Sequence, residues 1–144
     1  MGLFNPNAVF LSDVNLLFQL AILVVLILGF SFKRRHIYLK HGATMAIAVA
    51  LHTVAIFAIM LPSLLALTSS FGSSLPLTLV VLPHAVLGSL VEMLGVYLVL
   101  SWASHHRDVK VCFGNKKFMK PTIILWLVEV AIGIYVYILL YVPL

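Results

Sequence analysis

The residues of this chain able to do chemistry are few. There are six histidines and only four acidic residues. His41, His52 and His84 fall inside or at the start of long apolar runs, and the pair His105–His106 closes one of them. Glu92 and Glu129 sit deep within two such runs, and Met60 adds a thioether to another. Ionisable groups in apolar helices cost several kcal/mol when they face lipid, so these are expected to point inward. Neutral imidazoles and thioethers bind transition metals, and carboxylates bind metals or protons. The single cysteine, Cys112, excludes an internal disulfide, a CxxC redox pair and a cysteine-based metal cluster. No GxSxG, HExxH or Ser-His-Asp arrangement is present, which argues against a hydrolase.

The elements that must position these residues follow from composition. Of 144 residues, 63% are hydrophobic and 9% charged, with a mean hydropathy of +1.18. A soluble domain carries about 25% charged residues. The chain therefore reads as an all-α integral membrane protein, since only helices or closed barrels satisfy their backbone in lipid and no alternating strand pattern appears. Four spans are expected at about 15–32, 41–67, 77–104 and 121–141, with Pro121 opening the last. Short links make them a single up-down four-helix bundle. No basic stretch precedes the first span, so no cleaved signal peptide is expected. All nine Lys and Arg lie in or beside the first and third loops. The positive-inside rule then puts these loops in the cytoplasm and both termini outside, in a multi-pass protein of the cell membrane. The +5 charge is a membrane-rim feature, so the bilayer is the expected partner and nucleic acid is not.

Depth and face decide which groups can cooperate. Residues equidistant from the second loop stand level, which pairs His52 with Glu92 and Met60 with His84. His41 pairs with His106 or His105 near the cytoplasmic end. His52 and His84 are mismatched by roughly 12 Å of helix, and His84 and His106 by about 33 Å. On the second span His41, Met45, Ala48, His52 and Ala55 share a stripe; on the third, His84, Gly88, Val91, Gly95, Trp102 and His106 do, with Glu92 at the edge. Small residues between histidines leave room for a flat, bulky group. That pattern suits haem b held edge-on with axial histidines, one or two per chain. The inner station would use His41 with His106 or His105, and the outer His84 with Met60 or His52. Alternatively His41, His52, His84, His106, Glu92 and Glu129 supply ligands for a copper or iron ion. His52, Glu92 and Glu129 are expected to gather at one depth. His36, among basic residues, reads as surface, and Trp102, Trp126, Tyr135, Tyr137 and Tyr141 as interfacial aromatics.

Arg35, the HGATM run from His41, the PHAVLG run around His84, and PTIILWLVEVAIGIYVYILLY with Trp126, Gly133 and Tyr137 carry a resemblance. Together, over residues 34–141, they resemble a four-helix membrane family of unknown function associated with cytochrome c oxidase assembly and respiration. The resemblance implies an outer and an inner histidine pair. Two positions depart from it: Ser63 and Asn115 stand where that family carries histidines. The architecture is also similar to minimal four-helix b-type cytochromes.

The expectation is an electron carrier or complex subunit rather than a stand-alone enzyme. It would bind haem between the second and third spans, with a quinol or cytochrome as redox partner and other membrane subunits around it. The alternatives are a metal-binding assembly factor for a respiratory oxidase, and a cofactor-free structural subunit.

Overall fold

The computed structural model describes residues 10–69, 75–105 and 108–141, and they are helical almost throughout. In chain order the helices are α1 (Phe10–Arg34), α2 (Tyr38–Ala55), α3 (Leu61–Ser69), α4 (Leu75–Ser104), α5 (Val109–Gly114) and α6 (Lys116–Tyr141). A π-helical turn, Ile56–Met60, joins α2 to α3. Four spans, Phe10–Arg34, Tyr38–Ala66, Leu79–Ser104 and Lys116–Tyr141, are long and apolar enough to cross a membrane. They close a ring: α1 packs on α2, α2 on α4, α4 on α6, and α6 on α1.

Burial is inverted relative to a soluble bundle. Val24, Ile27, Phe57, Leu79, Val86, Met93 and Ile124 are more than half exposed, spread over all four spans. Inside lie His52 and Glu129, both fully buried, beside Ile22, Val91 and Trp126. An apolar exterior around a partly polar interior is the pattern of a bundle whose solvent is lipid.

The joints have local causes. α1 stops at a Schellman motif: Ile37 N–H donates to Phe32 C=O at 2.9 Å and His36 N–H to Lys33 C=O at 3.1 Å. His36 holds the left-handed position with φ 60°, usually a glycine's place. It is exposed, as the sequence implies, and its Nδ1 meets the Tyr38 hydroxyl at 2.8 Å. His36→Gly is expected to raise stability by about 0.5–1 kcal/mol, read as a higher midpoint in thermal unfolding in detergent. The π turn lies just ahead of Pro62, which has no N–H to give and whose ring crowds the carbonyl four residues back. The helix widens there, and Leu61 N–H reaches Ile56 C=O five residues back.

The sequence pattern misses two features of the third loop. Residues Val109–Gly114 form a short helix, and α6 opens at Lys116, ahead of Pro121. The Asn115 carbonyl accepts from Phe118 and Met119 N–H, and Asn115 Nδ2 donates to Ser101 Oγ at 2.9 Å. That anchor starts the helix early, so Pro121 lies inside it. Between α2 and α4 the approach is close: a Cβ on Gly42 would overlap the Trp102 indole.

Candidate functional site

One stripe of α6 organises the interior. Tyr141, Tyr137, Gly133 and Glu129 follow at four-residue spacing, and Trp126 and Thr122 continue the same face. All but Thr122, whose hydroxyl donates to Phe118 C=O of its own helix at 2.7 Å, meet a polar or aromatic group from another helix. The Tyr141 hydroxyl lies 2.8 Å from Ser12 Oγ, and the Tyr137 hydroxyl donates to Asp13 Oδ1 at 2.5 Å. Gly133 backs the His84 ring so closely that a Cβ there would lie 3.0 Å from Cε1. Glu129 Oε1 is 3.6 Å from His84 Nε2, with Gly88 behind it. The Trp126 ring packs on His52, centroids 5.1 Å apart.

His52 and Glu92 are level, as the loop geometry predicts, and they bond. His52 Nδ1 is 2.9 Å from Glu92 Oε2, and Glu92 Oε1 meets Thr53 Oγ1. Thr53 Oγ1 also donates to Val49 C=O at 2.9 Å, and a hydroxyl has one proton to give. The Thr53 hydroxyl is therefore shared between Val49 C=O and Glu92 Oε1, and His52 Nδ1–H donates to Glu92 Oε2. Among the described residues His52 Nε2 has no partner.

At the end of the bundle where the basic loops lie, a cavity of about 320 Å³ opens between all four spans. Its walls are apolar, with Trp102 and Trp126 among them, and Lys33 and Lys120 border it. His41 is 8% exposed and lines this cavity. Its Nδ1 lies 2.9 Å from Gly29 C=O. A carbonyl only accepts, so Nδ1 carries the proton, and the atom left for the cavity is the lone pair of Nε2. Met45 and Met119 add sulfur to the lining from α2 and α6.

The residues read from the sequence therefore divide into three groups. Among the described residues His41 is the one histidine on the cavity wall. His52 and Glu92 pair with each other. His84 stands opposite Glu129 rather than Met60 or His52, and the Met60 sulfur instead takes the Gln19 Nε2 donor at 3.8 Å. Glu129, expected with Glu92, stands by His84, because its place on the α6 stripe lies one turn from Gly133, which His84 covers. His105 is exposed and its Nδ1 donates to Ser101 C=O at 2.8 Å. His106 lies outside the described residues. Trp102 and Trp126 are core residues, 6% and 3% exposed, not interfacial ones. Among the described residues no three His, Cys, Asp or Glu side chains converge as metal ligands.

Sequence reasoning passed over Asp13, Asn15 and Gln19, though Asp13 is fully buried. The four-residue rhythm of α6 held the signal, since its tyrosines need inward partners. Family models, curated proteins and solved structures were each compared with this chain, and none matches.

Proposed function

We propose that the chain is an up-down four-helix bundle of the cell membrane that binds haem b and carries electrons within a respiratory complex. Both termini lie outside and the first and third loops in the cytoplasm. One observation carries the reading: His41, its Nδ1 committed to Gly29 C=O, leaves Nε2 for an apolar cavity bordered by two lysines. Backbone bonds of this kind fix the tautomer and orientation of iron-ligating histidines. The cavity, about 320 Å³, is of the size of the smaller ligand pockets. The two tryptophans offer flat walls, and Lys33 and Lys120 suit a ligand's two carboxylates. A haem held there supplies one-electron chemistry, iron(III) to iron(II) and back. His106, His105 or a cavity methionine would supply a second ligand to it. A quinol or a cytochrome exchanges the electron, and neighbouring subunits cover part of the apolar exterior.

The runner-up is a copper- or iron-binding assembly factor for a respiratory oxidase. The sulfurs of Met45 and Met119 beside His41 favour copper(I) within that reading. A site of His52, Glu92 and Glu129 has less support, because Glu92 already occupies His52 Nδ1.

Optical spectra of the purified protein, oxidised and reduced, test the proposal. A Soret band with sharp reduced bands, present as isolated or after reconstitution with haem, is expected. A colourless protein that stays colourless after reconstitution and holds copper by elemental analysis decides for the runner-up.

A further inference from the structure

The unpartnered buried polar groups of the interior gather on one side of Trp126. Among the described residues the buried side-chain atoms without a partner are Asn15 Oδ1, Gln19 Oε1, His84 Nδ1, both Glu129 oxygens, His52 Nε2 and Trp126 Nε1. All are level with Trp126 or on the Tyr141 side of it. His52 and Glu129 are fully buried and Gln19 is 8% exposed. Buried polar atoms this numerous are ordinarily satisfied by ordered water. Beyond Trp126 the lining turns to Val49, Leu98, Val99 and Ile123.

We infer that the half of the bundle between Tyr141 and Trp126 is a proton path, a file of side chains and water from the Ser12–Tyr141 end to Glu129 and the His52–Glu92 pair. The α6 stripe sets its stations: Tyr141 with Ser12, Tyr137 with Asp13, His84 over Gly133, then Glu129, then His52 beside Trp126. Successive stations are about 6 Å apart along the axis, the span of one water bonded at both ends. Asn15 and Gln19 offer oxygens from α1 along the same stretch. Each transfer breaks one O–H or N–H bond and forms another, and water is the only co-reactant. The titratable groups near Glu129 are His84 from α4 and His52 from α2, His52 in turn bonding Glu92, with Asp13 further along from α1. The unpartnered polar groups end at Trp126, where the mostly apolar cavity begins. The inference does not depend on haem at His41.

Infrared spectroscopy of the full chain in nanodiscs tests it, by following carboxyl C=O bands after transfer to deuterium oxide. Glu129 is identified as the band lost in Glu129→Gln. Its deuteration is expected to slow about tenfold or more in Asn15→Leu/Gln19→Met, which lines the file with apolar groups. Tyr137→Phe, nearly isosteric, removes one station and is expected to slow exchange in the same direction. The inference is overturned if both variants exchange at the parent rate, or if Glu129→Gln removes no carboxyl band.

Discussion

Replacing His41 with alanine is expected to abolish stoichiometric haem binding. His41 is the one histidine on the cavity wall among the described residues. Loss of a single outer partner of an iron-ligating histidine weakens affinity by about 10–100-fold. Loss of the ligand itself should cost about a hundredfold or more. The fold should survive, because the side chain borders a cavity and the Gly29 carbonyl loses one bond, about 1 kcal/mol. Haem per chain after reconstitution is the measurement, with His36→Ala as the surface control. If His41→Ala binds haem like the parent while remaining folded, the cavity is not the site. His52→Ala and His84→Ala are the informative companions, since neither residue lines the cavity.

The second large effect concerns stability. His52→Leu leaves Glu92 with Thr53 as its remaining partner, deep among apolar helices. Removing one member of a buried pair commonly costs about 3–5 kcal/mol, whereas replacing both by apolar groups of similar volume is often nearly neutral. His52→Leu is therefore expected to be strongly destabilising, and Glu92→Leu comparably so. The double variant should recover to within about 1–2 kcal/mol of the parent. Denaturant titration in micelles with tryptophan fluorescence reads the change, because Trp126 packs on the His52 ring. If the double variant loses as much as the two single variants combined, the bond at 2.9 Å is not what stabilises this level of the bundle.

The parts of the molecule legible beforehand share a simple physical origin. The four spans follow from the length of apolar runs. The His52–Glu92 pair follows from helical rise and the position of a loop. The shared face of His41, Ala48, His52 and Ala55 follows from a turn of about 100° per residue, and all four are buried. The partner of His84 was out of reach, because it comes from α6, a helix whose rotation no loop length fixes. Asp13 was passed over because an acidic residue near the chain's start reads as a cap or a tail. It is the inward hydroxyl of Tyr137 that makes it an interior residue. Trp126 was misplaced because tryptophan near a membrane boundary is ordinarily interfacial, whereas here it fills the space beside Gly95. The α6 start was misplaced because Pro121 is a common first-turn residue, and the Asn115–Ser101 bond overrode that preference.

The π turn at Ile56–Met60 has a consequence for alignment. It works like a surplus residue in the second span, carrying everything after it about 100° further round the axis than an unbroken α-helix would. Ile59 remains buried, and Met60 comes round to the Gln19 amide. The hand-off from α2 to α3 is thus set by the hydrogen that Pro62 lacks. The two halves of this span can be tuned separately, His41 to His52 on one dial and Met60 on the other, with the proline fixing the offset between them.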